Sequence, residues 1–216
     1  MNFDRLAPHY RWMERILAGE ILQRARTRWL DALSDRSHLL IIGEGAGRAL
    51  EVICERFPAL HVTVVEASAQ MIAAAKAHLE QREFPLEKIT WVHADVRIWL
   101  ADRPVEPGNC DAVLTPFVLD CFAPDDVRTV IAGIAASTAR NCTWLLSDFR
   151  LPEGGWRRSR GRVVHALMYG FFRVATKLEA RRVTPPDDAL RAGGFALAER
   201  RLFNAGLIHS DLWRRE

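Results

Sequence analysis

Cysteine is scarce in this chain of 216 residues, and its spacing is unproductive. Cys54, Cys110, Cys121 and Cys142 form no C-x-x-C pair. Zinc-knuckle and thioredoxin chemistry therefore find no support, and buried free thiols in a reducing compartment are the simple expectation. Lysine is nearly missing too: Lys76, Lys88 and Lys177 stand beside a large arginine complement, and the formal net charge is only +3. That balance is too small to demand a nucleic-acid partner. No apolar run approaches the length of a membrane span. The opening "MNFDRLAPHYRWMERIL" mixes acids and bases throughout, which is not a secretory signal, so a cytoplasmic location is expected. The sequence has no internal repeat and no low-complexity tract, and no metal-ligand cluster or Ser–His–Asp spacing stands out.

What is present reads as one domain over 1–216. Nearly half of the residues are hydrophobic and about a quarter charged, and a chain of this length buries a sizeable core. Residues 3–33 predict one or two helices at a 3.6-residue apolar period, interrupted by Pro8. Short β-branched or aliphatic runs follow at Leu39–Ile42, His61–Val65, Ile89–His93, Asp111–Leu114 and Thr143–Ser147. Helical segments at Ala49–Phe57, Ser68–Arg82 and Pro124–Thr138 separate several of them. Near the C-terminus "ALAERRLFN" and "LIHSDLWRR" flank Ala205-Gly206 as a hairpin. The fold class expected is α/β: a Rossmann-like, mostly parallel seven-stranded sheet with helices on both faces and a C-terminal antiparallel hairpin.

In open parallel sheets ligands bind beyond the carboxyl ends of the strands, so the residues there decide the function. Strand one runs into "LLIIGEGAGR", with glycines at 43, 45 and 47. This spacing is neither G-x-G-x-x-G nor a P-loop. It still permits sharp turns and close approach to a ligand ahead of a helix start. Strand two ends at Glu66, nineteen residues after Gly47, where a carboxylate accepts from both ribose hydroxyls. Strand three is followed by Asp95, an acceptor for an exocyclic amine such as that of adenine. Taken together these describe an adenosine site beside a glycine loop. Taken singly, each has a plainer meaning: a tight turn, a solvated strand end, a helix cap.

The motifs "FDRLAPHY", "IIGEGAGR", "VVEASAQMI", "HADV" and "DAVLTPFVLD" resemble the class I S-adenosylmethionine-dependent methyltransferases, and within them the ubiquinone/menaquinone-methyltransferase-like group. The resemblance covers roughly residues 3–150. It implies S-adenosyl-L-methionine as cofactor, with Gly43, Glu44, Gly45 and Gly47 facing its methionine part, Glu66 at the ribose, Asp95 and Val96 at the adenine, Ala67, Met71 and Thr115 as further cofactor-binding residues, and Tyr10 on a lid helix above. The family usually carries an acid two residues before its first glycine. Here Ile41 stands there, and Glu44 inside the loop is the substitute expected to meet the cofactor's ammonium, directly or through water.

Methyl transfer from a sulfonium is an in-line displacement that needs alignment, exclusion of water and, for some acceptors, removal of a proton. An acceptor pocket is expected from the N-terminal lid (1–36), the loop after strand four and an inserted lid (150–184). Trp12, Phe117, Arg150, His165, Tyr169 and Arg173 are its candidate binding residues. Asp148, Asp120 and Tyr10 are the candidate catalytic groups. His9, His165 and His209 are read as structural in preference to proton carriers. The expected substrate is a small apolar or aromatic molecule, and the expected assembly a monomer or homodimer without nucleic acid.

Between Arg150 and Arg182 nine basic residues face only Glu153 and Glu179. Around 156–180 this is either a lid helix with a solvated arginine face or an element that makes peripheral membrane contact. Two further readings stay open. One is non-methyl use of the same cofactor, by side-chain transfer or a ring closure that releases methylthioadenosine. The other is a module that binds without catalysis. A nucleic-acid methyltransferase would be expected to carry an N-P-P-Y-type motif where "TPFV" stands.

Overall fold

In a computed structural model the described residues are 19–102, 110–152, 154–156, 158, 159, 161 and 183–215. The chain order is α1 (Gly19–Arg26), a 3-10 turn (Leu30–Leu33), β1 (His38–Ile42), α2 (Arg48–Arg56), β2 (His61–Glu66), α3 (Ala69–Glu80), β3 (Ile89–His93) and α4 (Val96–Asp102). Then come β4 (Cys110–Pro116), a 3-10 turn (Leu119–Cys121), α5 (Pro124–Ser137), β5 (Thr138–Phe149), α6 (Asp187–Ala192), β6 (Phe195–Phe203) and β7 (Ile208–Arg215). The seven strands lie in the order β3-β2-β1-β4-β5-β7-β6. The first five are mutually parallel, and β7 runs antiparallel to both β5 and β6. The expected doubly wound sheet with a terminal hairpin is therefore present.

Local chemistry explains most boundaries. Ser68 caps α3 by accepting from the Met71 N–H at 3.2 Å, and Pro124 opens α5, where its missing N–H costs nothing. Two elements differ from expectation. β5 begins at Thr138, directly after α5, because β4 pairs first with Thr138 and then, after a slip, with Thr143. Helix α4 was not expected from so short a segment. Its start is fixed by Asp95, whose Oδ1 accepts from the Arg97 N–H at 3.0 Å.

The sheet is covered on both faces. One face buries Trp144, Trp213, Val130, Ile134, Leu190 and Phe195 under α5 and α6, with Trp144 and Phe195 edge to face at 5.4 Å. The other buries Leu30, Leu33, Leu50, Ile53 and Leu79 against β1, β2 and β4. Such dry, interlocked packing holds the strand ends in fixed relative positions. All four cysteines are free, Cys110 and Cys142 being buried. Among the described residues no helix is long and apolar enough to cross a membrane, and no group of His, Cys, Asp or Glu is arranged to hold a metal ion.

Candidate functional site

Strand order reverses between β1 and β4, since β2 and β3 lie to one side of β1 while β5 lies beyond β4. The loops leaving β1 and β4 diverge there and open a crevice. A cleft occupies that place, lined by residues of four strand ends: Gly43 and Gly45 after β1, Glu66 and Ala67 at the end of β2, Asp95 and Val96 after β3, and Phe117 and Val118 after β4. Met71 of α3 and Phe122 also line it.

The glycine loop is held in a shape that side chains resist. Gly43 has φ +72°, and a Cβ there would lie 2.7 Å from Val118 Cγ2. Gly45 has φ +67°, and a Cβ there would meet no atom within 4 Å. The second glycine thus leaves open space in the cleft, which is what close approach of a ligand to backbone requires. Phe117 also adopts a left-handed conformation, φ 57°, unusual for a bulky residue. Its N–H donates to the Ser147 carbonyl at 2.7 Å, and its ring packs on Phe149 with centroids 5.3 Å apart.

Glu66 is nearly buried. Its Oε1 accepts from the Ser68 N–H at 2.9 Å and its Oε2 from the Gly45 N–H at 3.1 Å, so one carboxylate ties the β1 and β2 loops together. Burial raises its pKa, and these amides partly oppose that rise. Each oxygen keeps a further lone pair for a hydroxyl donor. Asp95 is engaged differently. Arg97 grips it with Nε and Nη2 at 3.0 and 2.8 Å and reaches Asp126 with Nη1 at 2.9 Å. That guanidinium holds the Asp95 carboxyl below its usual range.

Glu44, Gly47 and Thr115 are not among the cleft-lining residues. Thr115 is fully buried, and its hydroxyl accepts from the Trp144 indole at 3.0 Å. Gly47 packs against Ala75 of α3. Glu44 turns inward: Oε1 accepts from the Ala49 and Leu50 N–H groups at 2.8 and 3.0 Å, capping α2, while Oε2 has no hydrogen-bond partner among the described residues. Burial pushes its pKa up to about 7.

Asp120 and Asp148 are brought together behind the cleft wall. Asp148 Oδ2 accepts from the Asp120 N–H at 3.0 Å and Oδ1 from the Phe149 N–H at 2.9 Å. Burial and the neighbouring Asp120 carboxyl raise the Asp148 pKa well above the ordinary value, as expected where two carboxylates share one dry site. Cys121 lines the cleft with Sγ 3.6 Å from Asp120 Oδ1. Burial, with the neighbouring Asp120 and Asp148 carboxyls, holds it as a thiol. The Arg150 N–H donates to the Leu207 carbonyl at 2.9 Å, anchoring the end of β5. Tyr10, Trp12, His165, Tyr169 and Arg173 lie outside the described residues. The apolar liners Ile42, Val65, Val118 and Phe122 escaped the sequence reading because nothing separates them from core residues until the crevice is seen.

Comparison with known proteins agrees with this geometry. Residues 39–141 match the family model described as a methyltransferase domain. A trans-aconitate 2-methyltransferase from Azoarcus is 32% identical over 82 residues, which are 38% of this chain and 30% of that protein. The match to this relative therefore spans under a third of its length. A carboxy-S-adenosyl-L-methionine synthase from Aeromonas hydrophila is 27% identical over 186 residues, 82% of this chain and 70% of that one. Among solved structures, the Burkholderia thailandensis 1,6-didemethyltoxoflavin-N1-methyltransferase superposes with a TM-score of 0.66 at 18% identity, covering 98% of this chain and 84% of that one. The crevice at the sheet's switch point, the glycine loop and Glu66 all fall within or beside the segment that matches the methyltransferase-domain model.

Proposed function

We propose that the protein is a methyltransferase that uses S-adenosylmethionine to methylate a small apolar or aromatic molecule, with a cleft akin to that of the ubiquinone/menaquinone-methyltransferase-like group. The observation that carries this reading is the polarity of the cleft. Glu66 and Asp95 supply carboxylates to the lining, while Phe117, Val118 and Phe122 supply apolar surface. The chain's residues fit the cofactor: Gly45 leaves a cradle that a Cβ would fill, and Glu66 retains lone pairs for ribose hydroxyls.

When bound, the cofactor supplies a methyl group on a positively charged sulfur. Glu66, itself held by the Gly45 N–H, would take the ribose, Asp95 and Val96 would face the base, and Phe117 with Val118 would exclude water from the reacting side. Asp120 and Asp148 stand behind Cys121 as a pair of buried carboxyls, the site for an acceptor proton where one must be removed. The toxoflavin enzyme, solved with bound 1,6-didemethyltoxoflavin and S-adenosylhomocysteine, and the aconitate enzyme support a small-molecule acceptor. One finding favours a second reading, non-methyl use of the cofactor: the similarity to carboxy-S-adenosyl-L-methionine synthase runs over 82% of the chain.

Incubation of the pure protein with S-adenosylmethionine alone, with products identified by mass spectrometry, separates methyl transfer from uses of the cofactor that release methylthioadenosine. Retention of the intact cofactor or of adenosylhomocysteine is the expected result. Methylthioadenosine well above a no-protein control means that a different carbon–sulfur bond is cut, and the methyl-transfer reading falls.

A further inference from the structure

Among the described residues a second pocket lies apart from the cleft and shares none of its lining residues. Arg24 of α1, with Thr27 and Arg28 of the turn that follows, forms one wall, and Arg201 and Phe203 of β6 form the other. Buried hydroxyls fix the two walls to each other. Arg201 is the register partner of Ser210 on β7. Ser210 donates to the Ala25 carbonyl at 2.7 Å, and Ser147 of β5 donates to the same carbonyl at 2.9 Å. The last turn of α1 is thereby pinned beside Arg201. Three arginines from two elements are brought to one place by anchors that do not depend on their own charges.

The charge of this pocket is uncompensated. Arg56, Arg82, Arg97, Arg128, Arg191 and Arg200 each pair with a carboxylate. Arg24, Arg28 and Arg201 are exposed, and none of them pairs with a carboxylate among the described residues. Arg28 lies over the Trp29 ring, 4.4 Å from its centroid, which orients its guanidinium without supplying a counter-charge. Arg24 and Arg28 stand one turn apart, where like charges repel. The negative end of the α1 dipole accounts for cations in its last turn, but not for Arg201, which arrives from a different element. The acids on these elements, Glu20 and Glu199, do not line the pocket. Thr27 gives its hydroxyl proton to the Gln23 carbonyl at 2.8 Å, so the side-chain donors in the lining are guanidinium N–H groups.

Like charges held in one concave site repel one another, and a multivalent anion relieves that repulsion. A single carboxylate is served by one guanidinium fork. A phosphate group carries more charge and presents several oxygens around one centre, which suits donors arriving from two walls. We infer that this pocket binds a phosphate group, borne either by a small soluble molecule or by a phospholipid headgroup. The inference does not rest on the cofactor reading of the cleft.

The probe is pyrophosphate, titrated calorimetrically at fixed ionic strength into wild type, Arg24→Gln, Arg201→Gln and Arg140→Gln. Arg140 is exposed near the start of β5, at the opposite end of the sheet, and controls for net charge. The two pocket variants remove one cation from each wall. Both replace exposed side chains, so their urea unfolding midpoints should match wild type. Wild type should bind pyrophosphate saturably, each pocket variant should weaken binding roughly fivefold or more, and Arg140→Gln should stay within about twofold. Saturating S-adenosylhomocysteine should leave the affinity unchanged. Sedimentation with vesicles of phosphatidic acid in phosphatidylcholine separates the two sources. Capture that the pocket variants lose and that pyrophosphate reverses assigns the headgroup. Pyrophosphate binding without such capture assigns a small soluble molecule. The inference is overturned if wild type binds neither probe, if the pocket variants bind as wild type does, or if Arg140→Gln shares their losses. Displacement of pyrophosphate by S-adenosylhomocysteine also overturns it, because that result puts the anion in the cleft.

Discussion

Glu44 makes a pH-dependent prediction whose size follows from its surroundings. The carboxyl is buried with an oxygen that meets no partner among the described residues. Desolvation outweighs the Leu50 and Ala49 amides and the charge of Arg26, and Glu66 adds like-charge repulsion, so the pKa rises from 4.5 to about 7. Between those values the folded protein holds a proton that the unfolded chain has released. Its contribution to stability is therefore complete below pH 4.5 and is lost as pH rises through 7. At about 1.4 kcal/mol per unit of pKa the full loss is about 3 kcal/mol. Glu44→Gln keeps an oxygen for the two amides and cannot ionise. Urea unfolding of both proteins without ligand, at pH 5 and pH 8, should show the variant gaining about 2–3 kcal/mol on wild type between the two conditions. Other titrating groups cancel in that difference, and any constant cost of the buried amide N–H₂ is the same at both values. A difference that does not change with pH refutes the reasoning, because it places an ordinary, solvated carboxylate at the start of α2.

Three further perturbations probe the cleft. Glu66→Ala removes the link between the β1 and β2 loops along with the ribose acceptor, and calorimetry should show cofactor affinity falling by roughly tenfold or more; an unchanged affinity rejects the ribose assignment. Gly43→Ala combines a left-handed φ with contact on Val118, so thermal unfolding should report a loss of about 1–3 kcal/mol, partly restored by adding Val118→Ala. No rescue means that backbone strain, not crowding, dominates. Asp120→Asn and Asp148→Asn should lower the single-turnover rate with an acceptor that must lose a proton while leaving cofactor affinity within about twofold; unchanged rates leave positioning as the pair's only task.

How legible the site was depends on how local each signal is. The glycine loop, Glu66 and Asp95 sit at strand ends, and strand ends are marked within a few residues by apolar runs that stop. The same nearness exposes what a linear reading misassigns. Asp95 serves both expectations at once, since it accepts from the Arg97 N–H to start α4 and also faces the cleft. Thr115 occupies a strand end like the others, yet the pleat turns it into the core, where it meets an indole donated from β5. Whether a strand-end side chain points up or down is set by register, and register is a property of two strands.

The charged groups behind the cleft were the least legible, because each depends on a partner far away in sequence. Asp120 and Asp148 meet only because β4 and β5 pair in parallel with Pro116 beside Ser147. Ser147 and Ser210 reach the same carbonyl only because they are register partners across β5 and β7. No window of sequence contains both members of either pair. Yet these long-range contacts seat the end of α1 against β5 and β7 and set two acids beside Cys121. The matched domain segment ends at residue 141, ahead of Asp148, Ser147 and Ser210. The glycine loop, Glu66 and Asp95 thus fall inside the matched segment, while the Asp148 carboxyl and the two serines that anchor the end of α1 come from outside it.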